Sequence, residues 1–382
     1  MASGHWAFDG PFEKEFEQRF AERNGARGCV AVTNGTVSLL LCLRALGIKP
    51  GDEVIVPALT WIATATSVLE ANGVPVFVDI DPKTLCIDAN AIEAAITPRT
   101  VAVIPVHLYW GMADMDAIMS LADRHGIAVI EDCAHAHGAR RNGDGAGAVG
   151  HLGSYSFQSS KVMTSGEGGA IIGQDTALLN KVYSLKNCGR VVEGRGSTIM
   201  GGNHRMTEWQ AAILISQLER LDEQLEDRNR NAETLTEMLI GLPGVTPLAN
   251  QPTVDQRPMY RMAFHYDKQS ANGIPRGRFI DAVRAEGIPI TPPYDVVYKS
   301  SLYQTELMPW YSEKIEQPHC PIAEEIAAEG IFMLPHEILL GDEADMQDIA
   351  NAFRKVIDNP GEAADLASRV KDRAKGFLKR FR

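Results

Sequence analysis

The sequence has no apolar run long enough to cross a membrane, which takes about 20 residues. Its first ten residues, Met1 to Gly10, show no basic-then-apolar leader, so a cytoplasmic location is expected. Basic residues are in deficit. Lys and Arg number 37 against 49 Asp and Glu, a formal net charge of -12, which argues against general nucleic-acid binding. The six cysteines, Cys29, Cys42, Cys86, Cys133, Cys188 and Cys320, show no metal-finger spacing and read as reduced core thiols. Cys133, His135 and His137 alternate as if on one strand face, but no fourth ligand accompanies them and no metal is expected. Internal repeats and low-complexity segments are absent. What remains is an ordinary globular composition, 45% hydrophobic and 23% charged, in 382 residues, enough for a large core and two domains.

Read in order, the first two-thirds alternate strand and helix. Phe12 to Asn24 is expected as a helix with Phe12, Phe16 and Phe20 on one stripe. Strands are expected at Cys29–Val32, Glu53–Val56, Val74–Val78, Val101–Val106 and Ile127–Ile130. Helices are expected at Val37–Leu46, Thr60–Ala71, Asn90–Ile96, Met112–His125 and Thr176–Asn187, the last capped by Asp175. This pattern predicts an α/β fold with a mostly parallel, doubly wound sheet, and ligands bound beyond the carboxyl ends of its strands. A long helix is expected from Thr207 to Ile240. From Gly244 the segments shorten and proline becomes commoner, suggesting a smaller α+β domain with strands at Tyr260–His265, Gly287–Ile290 and Ile331–Leu334. The tail places Leu366, Val370, Phe377 and Phe381 at helical spacing among basic residues. Such a basic amphipathic helix can bind a membrane or an acidic partner, but in an acidic protein docking on its own surface or on a dimer partner is the expectation.

Four places carry chemistry. Ser154 to Lys161 is a strand-like run of small hydroxyl residues leading into a lysine, followed by Gly166-Glu167-Gly168-Gly169. A lysine amid apolar and small residues suits an amine kept partly desolvated, which favours its nucleophilic form and Schiff-base chemistry. Alone, the stretch also reads as a surface lysine before a glycine turn. Asp132 ends an apolar strand, where a carboxylate could hold a cationic ring nitrogen or simply cap a loop. Thr33-Asn34-Gly35-Thr36 opens a helix, and Asn203 and Arg205 precede another. Either is an anion site or a plain cap.

Taken together these motifs resemble, in order and over about residues 11 to 357, the DegT/DnrJ sugar and cyclitol aminotransferases of fold-type I. The resemblance rests on Thr33-Asn34-Gly35-Thr36, Thr60-Trp61, Val78-Asp79-Ile80-Asp81-Pro82, Pro105-Val106-His107-Leu108, Glu131-Asp132-Cys133-Ala134-His135, Ser156 to Lys161, Gly166-Glu167-Gly168-Gly169 and Gly202-Asn203-His204-Arg205-Met206. Thr60 to Thr66 and Cys86-Ile87-Asp88 resemble the aminotransferases acting on inosose-type cyclitols. Ala134 to Arg140 and Cys188-Gly189-Arg190 resemble 3-amino-5-hydroxybenzoate synthases.

The resemblance implies a seven-stranded, mostly parallel sheet in a large pyridoxal 5'-phosphate (PLP) domain, residues 1–243, with a small domain over 244–358 and a terminal helix over 359–382. It implies that Lys161 joins the cofactor aldehyde and shuttles the proton, and that Asp132 pairs with the pyridine nitrogen. It places Trp61 and His135 at the ring and Gly35, Thr36 and Ser156 at the phosphate. Asn203 would reach the phosphate in the partner subunit, making a homodimer part of the site. The activity implied moves an amine from L-glutamine or L-glutamate to the ketone of a cyclitol or sugar in secondary metabolism. An aromatising synthase of the 3-amino-5-hydroxybenzoate type and an inactive regulatory homologue are the alternatives. Hexose dehydratases of the family carry histidine at the lysine position, so Lys161 argues against them. Two features depart from the pattern: His204 stands where tyrosine is usual, and only about ten residues precede Pro11. The acceptor pocket is expected to draw on Cys188 to Asn203, Tyr294 to Tyr303 and His336.

Overall fold

The structure is a computed structural model and describes residues 4, 6, 8–192, 196–303 and 318–361. The chain opens with helix α1 (Pro11–Asn24), which starts at a proline and stops at Gly25 in the left-handed region, φ 73°. Phe16 and Phe20 are buried against Phe157 and Tyr155. Phe12 does not join them: it lies in the first turn, beyond those rings, and is exposed. A buried Lys186 ties α1 down, donating to Glu13 at 2.7 Å, Glu17 at 3.2 Å and the Ala31 carbonyl at 2.9 Å.

Strands β1 (Gly28–Val32), β2 (Glu53–Pro57), β3 (Val74–Val78), β4 (Thr100–Val103), β5 (Ala128–Asp132), β8 (Leu152–Ser156) and β9 (Gly169–Gly173) make one seven-stranded sheet. Its order is β1-β9-β8-β5-β4-β2-β3, and only β9 runs antiparallel to its neighbours. Helices α2 (Gly35–Leu46), α3 (Ala63–Glu70), α4 (Ala89–Ala95) and α5 (Met115–His125) lie between its strands, and α6 (Thr176–Lys186) follows the last of them. The continuous apolar runs Val54-Ile55-Val56 and Ala170-Ile171-Ile172 are fully buried, as strands covered on both faces should be. The expected strand to Val106 stops at Val103, because Pro105 has no N–H to give the ladder, and Val106 makes only a bridge to Asp132. Two short strands, β6 (Arg140–Arg141) and β7 (Asp144–Gly145), pair with β11 (Val254–Gln256) in a separate piece. Their charged, non-alternating residues gave no strand signal.

Helix α7 (Glu208–Met238) runs 31 residues from a capping box formed by Thr207 and Gln210. Beyond it, β10 (Val245–Pro247), β12 (Arg261–Tyr266) and β13 (Ile331–Pro335) form an antiparallel sheet in the order β10-β12-β13. It packs with α8 (Arg276–Ala285), α9 (Pro321–Glu325) and α10 (Glu343–Asp358) around Phe264, Phe279, Phe332 and Phe353. The strand expected at Gly287–Ile290 is absent: Pro289 interrupts the ladder, and only Thr291 bridges to Met333. Among the described residues no helix is long and apolar enough to cross a membrane. All six cysteines are free, and only Cys188 is exposed. The helix expected of the basic tail, with Leu366, Val370, Phe377 and Phe381, lies outside the described residues.

Candidate active site

The carboxyl ends of β5 and β8 lie side by side, with Asp132 in register with Ser154. Asp132 ends β5 and is buried. Its Oδ2 accepts from Thr64 Oγ1 at 2.9 Å and its Oδ1 from the Ala134 amide at 3.1 Å, while Thr60 Oγ1 stands 2.9 Å from Thr64 Oγ1. Burial pushes the Asp132 carboxyl above the usual aspartate range, against the pull of those donors and of Lys161. No basic side chain lies within ion-pair distance of it among the described residues.

Five residues past β8, Lys161 donates its backbone N–H to the Gln158 carbonyl at 2.9 Å. Its amine sits 4.4 Å from the centroid of the Tyr260 ring, and no carboxylate pairs with it among the described residues. Burial lowers the lysine pKa, opposed by Tyr260 and Asp132. An amine in that state is more readily neutral and nucleophilic.

Tyr260 immediately precedes β12 and is the residue that sequence reasoning overlooked. Its ring stacks on His135, centroids 3.9 Å apart. The His135 Nδ1 accepts from the Tyr109 amide at 3.2 Å, which leaves Nε2 as the protonated nitrogen, 3.4 Å from the Tyr294 hydroxyl. Burial, then the charge of Lys161, pulls the His135 pKa well below its ordinary value, so the ring is neutral. Tyr109 holds this arrangement with a φ of 56°, an uncommon conformation for a bulky residue, and accepts from the Tyr294 amide at 2.8 Å. The signal that could have found Tyr260 is weak: an aromatic at the start of a small-sheet strand is ordinary.

At the opposite edge of the site α2 begins. Asn34 caps it by accepting from the Val37 amide at 2.9 Å. A Cβ on Gly35 would fall 2.5 Å from Ser156 Cβ, so only glycine lets the helix N-terminus approach β8 this closely. Gly35, Thr36 and Ser156 therefore share one end of the sheet with Asp132 and Lys161. Trp61 is 55% exposed with its ring 5.4 Å from that of Tyr294. Asn203 is exposed and accepts from Arg205 Nε at 2.8 Å; it belongs to the Asn187–Asn203 bridge. Of the expected acceptor segments, Tyr294 and His336 reach the site, whereas Cys188 lies with Gly202, whose carbonyl its amide meets at 2.8 Å.

The alternation of Cys133, His135 and His137 does not place them on one face, because β5 ends at Asp132 and a turn comes next. His135 faces Tyr260, while His137 donates from Nε2 to the Ser156 carbonyl at 2.8 Å. Cys133 instead approaches His107 and Glu131, with ligand atoms within 4.8 Å of one another. Hydrogen bonds occupy that set. His107 Nδ1 accepts from Ala113, its Nε2 meets Glu131 at 3.0 Å, and Glu131 also accepts from the Gly147, Val149 and Gly150 amides. Burial alone would raise the Glu131 pKa, but His107 and the amides outweigh it and hold it below the usual carboxylate range. A carboxyl depressed in the folded state stabilises the fold above its unfolded pKa of about 4.3, and that stabilisation disappears as pH falls through the folded value. Glu131→Gln is therefore expected to cost about 2–4 kcal/mol at pH 7, with the gap to wild type closing below about pH 4, measured by denaturant unfolding across pH.

The model of the DegT/DnrJ/EryC1/StrS aminotransferase family matches residues 1–354. The L-glutamine:2-deoxy-scyllo-inosose aminotransferase of Streptoalloteichus tenebrarius is 42% identical over 388 residues, 95% of this chain and 91% of that protein. A putative L-glutamine:3-amino-2,3-dideoxy-scyllo-inosose aminotransferase of the same organism is 42% identical over 357 residues, 90% of this chain and 86% of that protein. The crystal structure of 3-amino-5-hydroxybenzoic acid synthase superposes with a TM-score of 0.85 at 32% identity, covering 94% of each chain. With a lysine, a buried aspartate and a glycine-opened helix gathered at one end of a sheet of this topology, the chain is a member of the DegT/DnrJ/EryC1/StrS aminotransferase family.

Proposed function

We propose that this aminotransferase uses PLP to move the amine of L-glutamine or L-glutamate onto the ketone of a scyllo-inosose-type cyclitol. The observation that carries the cofactor is Asp132: a buried carboxylate with two neutral donors and, among the described residues, no cation in contact, at the same end of the sheet as Lys161. That donor set fits a protonated ring nitrogen, whose charge would complete it. When bound, PLP supplies an electron sink for negative charge developing at the carbon that bears the amine. Lys161 supplies the amine that holds the aldehyde and, once released, takes and returns a proton at its Nζ. Asp132 keeps the ring nitrogen protonated, and Thr64 keeps Asp132 oriented. The Gly35 and Thr36 end of α2 and the Ser156 hydroxyl receive the phosphate, as a helix N-terminus can. Neutral His135 and Trp61 bound the ring and exclude water.

Exposed Asn203 is assigned to the phosphate of a second copy, so the working unit is a homodimer with sites shared between subunits. The same reading treats residues 1–243 as the cofactor-bearing domain and 244–358 as a smaller one that supplies Tyr260, Tyr294 and His336. The cyclitol as acceptor rests on the two relatives at 42% identity, both named for scyllo-inosose substrates. The test is transfer of isotope from L-[2-15N]glutamine to 2-deoxy-scyllo-inosose, read by mass spectrometry of the product. The expected result is one 15N in an aminocyclitol. Formation of an aromatic amine from an aminated shikimate-type ring, with no labelled aminocyclitol, would transfer the assignment to the synthase branch.

A further inference from the structure

Arg228, in the middle of α7, is 2% exposed, yet no carboxylate lies within ion-pair distance of it among the described residues. Glu337 and Asp227 attract it only from beyond contact; a buried guanidinium with no counter-ion in contact is costly, and an apolar side chain of similar volume would usually serve the fold as well. Its hydrogen bonds go to neutral acceptors. Nη1 donates to the Gln224 carbonyl at 3.1 Å, Nε to the His336 carbonyl at 3.3 Å and Nη2 to His336 Nδ1 at 3.2 Å. The last bond sets the histidine tautomer. With Nδ1 accepting, Nε2 carries the proton; it lies 3.1 Å from the Ser160 carbonyl, within hydrogen-bond distance, and 3.8 Å from the Glu337 carboxylate, beyond it. His336 is 6% exposed, and burial and the Arg228 charge pull its pKa down to about 3, so it stays neutral across the working range.

Ser160 is gripped a second time. Its Oγ donates to Gln158 Oε1 at 2.7 Å and so accepts from the Tyr260 hydroxyl, 3.1 Å away. Both grips come from elements beyond the large sheet: Tyr260 leads into β12, and His336 comes directly after β13. The Ser160 carbonyl belongs to the peptide unit that sets the direction in which Lys161 leaves the backbone.

We propose that Arg228, His336 and Tyr260 form a positioning device that clamps Ser160 and thereby aims the Lys161 amine. The proposal rests on Lys161 being the reacting amine. Tyr260 also lies against the Lys161 amine, whereas Arg228 acts through His336, and His336 through one carbonyl. Displacement of a reacting group by about 1 Å costs on the order of a hundredfold in rate, which is the scale the clamp is expected to command.

The test compares wild type with Arg228→Met, His336→Leu, His336→Gln and Tyr260→Phe in the full chain. Two readouts are used: the rate at which Lys161 captures added PLP, followed by absorbance and by mass after borohydride reduction, and steady-state kinetics. Arg228→Met and His336→Leu are expected to slow capture and lower kcat about ten- to a hundredfold, with KM for donor and acceptor within about twofold. His336→Gln, which keeps an N–H donor, is expected to recover most of the loss; Tyr260→Phe, which keeps the ring and loses one grip, is expected to fall in between. Thermal unfolding identifies any variant that fails to fold, and the Gln rescue then carries the decision. Capture rates and kcat within twofold of wild type in folded His336→Leu and Arg228→Met would overturn the clamp, as would a loss that Gln leaves unrepaired. Were wild type itself to form no adduct at Lys161, the assignment of the reacting amine would fail instead.

Discussion

Lys161→Ala is expected to abolish transfer of the amine, with kcat falling about four orders of magnitude or more while the fold is retained. Lys161 sits over the Tyr260 ring, with no carboxylate in ion-pair contact among the described residues, and burial favours its neutral form. Alanine removes both the point of attachment and the group that moves the proton, and no neighbour can replace either. His135 is neutral, stacked and hydrogen-bonded to Tyr109 and Tyr294, and His137 donates to a backbone carbonyl. The loss should be confined to chemistry. Among the described residues Lys161 makes no ion pair, so the thermal midpoint of the apoprotein should match wild type or exceed it slightly, because an amine is no longer buried. Steady-state transfer and differential scanning calorimetry on one preparation check both halves of the statement. Residual turnover above a hundredth of wild type would place the reacting amine elsewhere.

Asp132→Ala is expected to lower turnover about a thousandfold and to weaken cofactor binding at least tenfold, as removal of a charge-assisted bond worth a few kcal/mol implies. Asp132→Asn separates the two contributions. The amide can still meet Thr64 and the Ala134 N–H, so the pocket should keep its shape, but a neutral amide no longer holds a proton on the ring nitrogen. Binding should therefore suffer less than turnover in the Asn variant, and both should suffer in the Ala variant. Titration of each apoprotein with PLP, alongside kcat, reads the split. The two variants should also answer differently in stability. The folded carboxyl lies above its ordinary pKa because it is buried. A carboxyl raised in this way costs stability once pH exceeds its unfolded value, so Asp132→Asn should make the apoprotein more stable near pH 7 and leave it unchanged near pH 3. Near-normal kinetics in Asp132→Asn would remove the proposed role.

The parts of this site that were legible in the sequence are those that lie close together in it. A hydroxyl-rich strand end followed by a lysine, an apolar strand ending in Glu131-Asp132, and Asn34-Gly35-Thr36 opening a helix each announce themselves within ten residues. The structure sets all three at one end of the seven-stranded sheet. Tyr260 was not legible, because what matters about it is contact with Lys161 and His135, about 100 and 125 residues away in sequence, and nothing in Met259-Tyr260-Arg261 records that meeting. Arg228 was hidden for a related reason. On a 31-residue helix rich in Glu, Arg and Gln it looks like any solvated arginine, and only the packing of α7 beneath His336 reveals it as buried. Cys133, His135 and His137 misled in the opposite sense: alternation suggested a common face, but a strand that ends at Asp132 cannot impose period two on the residues past its end. Proline explains both the shortened strand and the missing one. Pro105 and Pro289 sit inside apolar runs whose composition favours a strand, and a missing N–H outweighs composition.

The most direct measurement is reduction of the PLP-treated protein with borohydride, digestion, and mass analysis of the peptide that spans Phe157 to Val162. The structure predicts a single phosphopyridoxyl increment on the Lys161 side chain, absent from Lys161→Ala. An unmodified Lys161 peptide, or an increment that resides on Lys186 or another lysine, would contradict the account at its root.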